Sequence, residues 1–361
     1  MLDDPAVHQN GYGARVTRSP HVNLRSPPAP AVSVLLPVWN AATTLPAALR
    51  SVSRQSLQDF ECVVVDDGSD DASSDVASSF ARADARFRVV SLPHGGIVTA
   101  LNAGLDVCRG RYVARMDADD LMHRERLRLQ VSALETEPDL VGVGCHVRIF
   151  PRRGLTEGLC TYEGWLNGLR SAEEVLRDRF IECPLAHPTW TLRRDVFAPL
   201  GYRSSGFPED YDALLRLTVN GARFGVVPRA LLLWRDGPAR LSRTGAAYTP
   251  ASFVDCKAHH LARSFLADRT EYVLWGYGDT GRALGRALAE QGRRPTHIVE
   301  VHPGRIGQRI FGARVIGNDG LATVKGQKLV VSVAGAAARQ EIRERLEAEG
   351  FVELRDFVCA A

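Results

Sequence analysis

The chain has 361 residues, 45% hydrophobic and 24% charged, with a formal net charge of +3. That length fits about two domains, and the composition fits buried cores; a largely disordered chain, a fibre and a small disulfide scaffold are excluded. The charge is too small to argue for a nucleic-acid partner, and no apolar run reaches the ~18 residues of a membrane-spanning helix.

Residues 1–30 are rich in Pro, Ser, Ala and Arg without any period, and are expected to form a flexible tail. A short membrane or partner anchor is the alternative reading. The N-terminus is acidic and has no apolar stretch of the kind a secretory leader needs. From Val32 the pattern becomes regular. Val32–Leu36 is a continuous apolar run, as in a strand buried on both faces. Leu45, Leu49 and Val52 recur at helical spacing, with Thr43 or Thr44 as N-cap. Strands are predicted over 61–65, 87–91 and 111–116, and helices over 75–83 and 97–108. Leu127, Val131 and Leu134 mark a further helix. Strand–helix alternation implies a mostly parallel sheet covered on both faces, with ligands at the carboxyl ends of the strands. Those ends carry Pro37–Asn40, Asp66–Ser69 and Asp117–Asp120.

Residues 151–245 are less regular, and 246–270 read as a connecting helix. A second α/β cycle follows. Strands are predicted over 271–275, 297–301 and 328–334, and helices over 280–292 and 338–350, with Gly292 as a C-cap and Ile342 and Leu346 facing inward. The seven cysteines include no CxxC pair, which points to buried reduced thiols in a cytosolic protein.

Three acidic motifs could carry chemistry. MDADD at 116–120 puts three carboxylates into one loop, where they repel unless a cation sits between them. A solvated turn, or Asp120 as a helix N-cap, reads the same residues without a ligand. VVVDDGSD at 63–70 follows a buried strand, and its Asp pair could accept hydrogen bonds from a base or ribose, or simply build a turn. FPEDYDALLRL at 207–217 opens a helix with acids, suited either to a general base or to the helix dipole.

In order along the chain, VSVLLPVWN, VVVDDGSDD, GGIVTALNAGL, GRYVARMDADD, AHPTWTLRRDVF and PEDYDALLRL closely resemble the family 2 glycosyltransferases of GT-A fold. The resemblance covers about residues 31–245 and implies an inverting sugar transfer from a nucleotide-diphosphate donor, UDP-sugar by default. It implies that Pro37, Asn40, Asp66 and Asp67 line the nucleoside pocket. Asn102, Arg115 and Asp117 would lie near the ribose and diphosphate. Asp119 would be the main ligand of Mg2+ or Mn2+, and Asp210 the base. Arg235, Arg240 and Arg243 would clamp the diphosphate from a segment folding over the donor, or form a solvated basic loop. His187 and Glu209 are candidates for the acceptor side; His187 reads equally well as a structural histidine. Trp165 and Cys183 read as core. The implied acceptor is a glycan or lipid-linked hydroxyl in bacterial surface polysaccharide or lipopolysaccharide synthesis. The implied location is cytoplasmic, with a peripheral position at the inner membrane face as the alternative.

The third unit, 271–361, carries GYGDTG at 276–281 between strand and helix, with Glu300 24 residues beyond Gly276. Gly276, Gly278, Gly281 and Glu300 fit a dinucleotide fingerprint. The layout also resembles the small Rossmann-like domain of bacterial sugar acyltransferases, which implies nucleotide-sugar binding. The alternatives to transfer are an NAD(P)-dependent oxidoreductase and a non-catalytic nucleotide-sugar-binding protein. The first would need a hydride-transfer acid or base, and the second eroded acids; neither pattern is found.

Overall fold

The computed structural model describes residues 28–238 and 240–361, so the expected tail falls almost entirely outside the described residues. The chain begins with β1 (Val32–Val38), α1 (Leu45–Ser53), β2 (Phe60–Asp66), α2 (Ser73–Ala83), β3 (Phe87–Ser91), α3 (Ile97–Val107) and β4 (Tyr112–Arg115). Every residue of β1 and β2 is buried, as expected of central strands that are mostly apolar, and the polar exceptions Ser33, Glu61 and Asp66 are buried with them. In α1, Leu45, Ala48, Leu49 and Val52 face inward at i, i+3, i+4 and i+7. Thr44 is the residue before α1, yet its hydroxyl donates to the Ala41 carbonyl rather than capping the helix amides. In α3, Gly104 lies flat on the sheet: a Cβ there would stand 2.3 Å from Leu35 Cδ1, so only glycine lets this helix approach so closely.

The chain continues through β5 (Leu121–Met122), α4 (Arg126–Thr136), β6 (Leu140–Phe150), α5 (Glu157–Leu166), α6 (Ala172–Asp178), β7 (Thr191–Arg193), α7 (Arg194–Phe197), α8 (Glu209–Val219) and β8 (Arg223–Arg235). The eight-stranded sheet runs β3-β2-β1-β4-β7-β6-β8-β5. β7 is antiparallel to β4 and β6, and β5 to β8; the other pairs are parallel. The long strands β6 and β8 stand where the sequence showed no regular element. Asp120 caps no helix, because α4 begins only at Arg126, after Glu125.

After α9 (Leu241–Thr244) and α10 (Pro250–Arg263), a second sheet forms from β9 (Glu271–Trp275), β10 (Arg294–Val299), β11 (Arg309–Ile310), β12 (Ala313–Ile316), β13 (Leu329–Val331) and β14 (Phe357–Cys359), with helices α11 (Asp279–Glu290) and α12 (Ala336–Ala348). Its order is β11-β12-β10-β9-β13-β14, parallel except for β11. Gly292 follows α11 at φ +74°, as expected of a C-terminal stop. The expected connecting helix is α10, opened by Thr249, whose hydroxyl accepts the Ser252 amide at 3.1 Å.

One hydrophobic cluster spans both sheets. It includes Trp190 just before β7, Leu214 of α8, Leu261 of α10 and Leu266 just beyond it, and Tyr272 and Val330 of the second sheet. Polar clips reinforce it. Buried Lys257 donates to the carbonyls of Ile181 (2.7 Å) and Ala360 (3.1 Å), and Arg343 on α12 pairs with Asp178 at 2.7 Å. Among the described residues no helix is long and apolar enough to cross a membrane.

Candidate active site

A cleft of about 770 Å³ opens at the carboxyl ends of β1, β2 and β4, where a mostly parallel sheet places its ligands. On its first wall, Asp67 follows β2 and is buried. Its two carboxylate oxygens accept the Gly95 and Gly96 amides, each at 2.9 Å, at the start of α3. His94 Nδ1 stands 2.9 Å from Asp67 Oδ2, and the His94 ring stacks on Trp39 with centroids 4.6 Å apart. Trp39 is 54% exposed beside Pro37 on the cleft wall. Asn40 also faces the cleft, at φ +50°, and its Oδ1 accepts the Asp70 amide at 2.9 Å, which ties the loops after β1 and β2 together.

Two expected donor residues lie elsewhere. Asp66 is buried beneath the wall, where its carboxylate accepts the Ser69 amide at 3.2 Å and shapes the DDGSDD turn. Asn102 projects from α3 onto the Tyr202 backbone, donating to its carbonyl at 3.0 Å and accepting its amide at 2.9 Å. Both of its polar ends are used in that clamp.

The second wall is acidic. Arg115 is buried at the end of β4; it pairs with Asp117 at 2.7 Å and also donates to the Met116 carbonyl. One oxygen from each of Asp117, Asp119 and Asp120 lies within 4.8 Å of the others. Burial pushes the Asp119 carboxyl up to about 6, and the Asp117 charge adds to the rise. Burial, then Asp117 and Asp119, raise Asp120 well above the usual carboxylate range. Asp120 Oδ1 accepts the Arg235 amide at 2.7 Å, whereas its Oδ2 is buried without a partner. Crowded carboxylates with an unpaired buried oxygen fit a hard divalent cation, whose charge would remove the mutual repulsion.

The third wall is the start of α8. Glu209 accepts a hydrogen bond from the Tyr248 hydroxyl, and His187 Nδ1 stands 3.8 Å from it. Burial, then the Arg115 charge, drive the His187 pKa well below its ordinary value, so the imidazole is neutral. Its Nε2 pairs with the Tyr202 hydroxyl at 2.8 Å. Asp210 faces the cleft; among the described residues its only hydrogen bond is from the Tyr211 amide at 2.7 Å. Burial, then neighbouring Glu209, push the Asp210 carboxyl up to about 8. Burial raises Glu209 as well. Asp212 turns away, to Arg216 at 2.8 Å and His260 at 3.0 Å.

Residues 236–238 and 240–249 run along the open side as a strap. Arg235 donates to the Asp119 carbonyl at 2.7 Å. Arg240 lies 4.3 Å over the Trp234 ring, and Arg243 pairs with Asp236 at 2.6 Å. All three arginines line the cleft. Trp165 is half-buried away from it, with its indole N–H 3.4 Å from Asp178 Oδ2. Cys183 is buried, as expected, but also borders the cleft.

Tyr248, Glu182, His94 and Trp39 line the cleft without having been singled out in the sequence. Trp39 lies inside VSVLLPVWN and His94 just before GGIVTALNAGL, motifs that were read for other residues. Tyr248 carries no local signal, because only the return of the strap brings it back to Glu209. In the second sheet, Gly276 and Glu300 border a separate cavity of about 210 Å³; Gly278 caps α11 and Gly281 lies in its first turn, and neither lines that cavity.

A family model described as Glycosyl transferase family 2 matches residues 33–201. The uncharacterized glycosyltransferase EpsJ of Bacillus subtilis is 34% identical over 257 residues, covering 68% of this chain and 71% of EpsJ. A PGL/p-HBAD biosynthesis glycosyltransferase of Mycobacterium bovis is 32% identical over 156 residues, 35% of this chain and 61% of that protein. In fold, the chain is similar to residues 1–349 of S. aureus TarS, solved with UDP-GlcNAc. The TM-score is 0.53 at 17% identity, over 71% of each chain.

Proposed function

Since this chain belongs to glycosyl transferase family 2, we propose that its cleft moves a sugar, with inversion, from a nucleotide-diphosphate donor to a hydroxyl acceptor. The observation that carries this reading is convergence. Asp67, the acids of the 117–120 loop and Asp210 come from distant parts of the sequence and face one cleft. A UDP-sugar is the favoured donor, in keeping with TarS, which was solved with UDP and with UDP-GlcNAc.

In this reading Pro37, Asn40 and Asp67 receive the nucleoside. Asp67 is pre-set for it, because the Gly95 and Gly96 amides fix both carboxylate oxygens at the cleft wall, with His94 Nδ1 2.9 Å from Oδ2. Arg115 holds Asp117 in place and offsets the negative charge of the loop. Asp119, with Asp117, would hold Mg2+ or Mn2+, which when bound supplies Lewis-acid stabilisation of charge growing on the leaving diphosphate. Arg240 and Arg243 reach the same phosphates from the strap, with Arg235 tying the strap to Asp119.

Asp210 takes the acceptor proton. Its carboxylate lacks a strong donor, so it keeps the basicity that burial gives it. Glu209 is held by Tyr248 and serves acceptor binding, with neutral His187 behind it. We place the acceptor among glycans and lipid-linked hydroxyls of surface polysaccharide or lipopolysaccharide assembly, reached from the cytoplasmic side of the membrane. One relative, matched over 35% of this chain, is named for PGL/p-HBAD biosynthesis.

The test is a panel of nucleotide-sugars screened by thermal shift and nucleoside-diphosphate release, with and without Mn2+. One donor class should stabilise the protein and turn over in a cation-dependent way. Stabilisation by none of them would overturn the reading.

A further inference from the structure

Arg126 is the first residue of α4; it is fully buried and does not line the cleft. A buried arginine normally meets an anion, because an isolated charge in the interior is costly. Arg115, Arg216 and Arg343 are buried too, and each meets a carboxylate at 2.7 or 2.8 Å. Arg126 does not. Its Nε donates to Gln130 Oε1 at 2.9 Å, and its Nη2 to the carbonyls of Arg115 at 2.9 Å and Trp190 at 3.4 Å. Its Nη1 stands 3.8 Å from Met116 Sδ. Among the described residues its hydrogen bonds reach only neutral groups. The amino end of a helix disfavours a cation as well. The chain thus keeps a charged group where burial, partners and helix dipole all oppose it.

The contacts show what the group does there. Arg115 and Met116 are the last two residues before Asp117, and one guanidinium holds both. Only a planar fork can donate in these several directions at once. The acids of the 117–120 loop supply the negative field that a buried guanidinium needs. Gln130, which orients Arg126, donates to the Thr189 carbonyl at 2.7 Å and accepts the Thr191 hydroxyl at 2.8 Å. Thr189 closes the turn that begins at His187, the neighbour of Glu209. Arg126 and Gln130 therefore fix the acidic loop against the third wall from inside the protein.

We propose that Arg126 is a positioning residue for the cation site: it pins the chain at Arg115 and Met116, so that Asp117 and Asp119 are aimed before a cation arrives. This rests on the reading of those two acids as cation ligands. Arg126 itself touches neither donor nor acceptor.

The test is Mn2+ binding to the full chain, followed by the EPR signal of free Mn2+, for wild-type protein, Arg126→Met and Arg126→Lys. The sign is decisive. Removing a nearby positive charge alone would tighten cation binding, whereas losing the aim of the loop weakens it. Arg126→Met should weaken Mn2+ about tenfold or more, as loss of a group that orients metal ligands does. Arg126→Lys keeps the charge but not the fork, and should weaken it about threefold or more. A residue that only supports the fold would lower the melting temperature and leave the Mn2+ affinity of the folded protein unchanged. That result, tighter binding in Arg126→Met, or failure of both variants to fold overturns the proposal. If Arg126→Met alone does not fold, Arg126→Lys decides. Wild-type protein that takes up no Mn2+ contradicts the cation site itself and this proposal with it; wild-type affinity in the variants contradicts this proposal alone.

Discussion

Two adjacent carboxyls at the start of α8 meet different neighbours, and their chemistry divides accordingly. Glu209 is occupied by the Tyr248 hydroxyl, whereas Asp210 keeps its cleft side free. Asp210→Asn retains size but cannot take a proton, so kcat should fall about 10²-fold or more while donor affinity holds. Initial rates beside donor calorimetry check this. If Glu209→Gln is inert and Asp210→Asn is not, the roles are exchanged. The carboxyl of Asp210 is raised to about 8 in the donor-free protein, and only its ionised form is a base. Thus kcat/KM should climb with pH up to about 8 and then level off, a limb that Asp210→Asn should lack. The separation of Asp210 from Asp212 was legible in the sequence, because two residues on a helix point about 200° apart. The fates of Asp66 and Asn102 were not. A motif shows which residue recurs in a loop, not whether its polar atoms are spent on backbone. Asn102→Ala should lower the melting temperature through the lost clamp on Tyr202, at a cost of about 1–3 kcal/mol. It should change donor affinity by less than about threefold, since a group outside the cleft contributes little to binding.

The walls of the cleft combine elements that differ in how they read. β1, β2 and α3 were legible because buried central strands and helix faces leave strong periodic signals. β6 and β8 were not. In β6 the glycines at 142 and 144 take the places of side chains, with Leu192 and Leu185 filling the gaps. In β8, Pro228 interrupts the pairing just where the register shifts between Cys145 and His146. Yet β8 delivers Arg235 to the acidic loop and starts the strap. Arg240 and Arg243 differ within it. Both reach Asp236, Arg243 at 2.6 Å and Arg240 at 4.0 Å, but Arg243 is exposed whereas Arg240 is largely buried and rests on Trp234. Arg240→Ala should therefore weaken UDP binding about tenfold, the value of one charge-assisted contact, and Arg243→Ala less. Calorimetry with UDP and Mn2+ gives the comparison; equal losses would contradict this ranking.

At the scale of the whole molecule, the two sheets share one core through α10. The sequence suggested a connecting helix between separable units, because the transferase motifs end before residue 245. What it could not show is that Lys257 joins Ile181 to Ala360, or that Arg343 closes on Asp178. Such pairs form only when residues far apart in sequence meet. Lys257→Met should lower the melting temperature by several degrees, since it strips two buried carbonyls of their donor. The central claim is cation-dependent transfer from a nucleotide-diphosphate donor in the first cleft. The most direct measurement is nucleoside-diphosphate release from the best donor by wild-type protein and Asp119→Ala, in Mn2+ and in excess EDTA. Release by the wild-type protein should stop in EDTA, and Asp119→Ala should lose about 10²-fold or more in Mn2+ while keeping its fold. Full release in EDTA, or wild-type rates from Asp119→Ala, would contradict it.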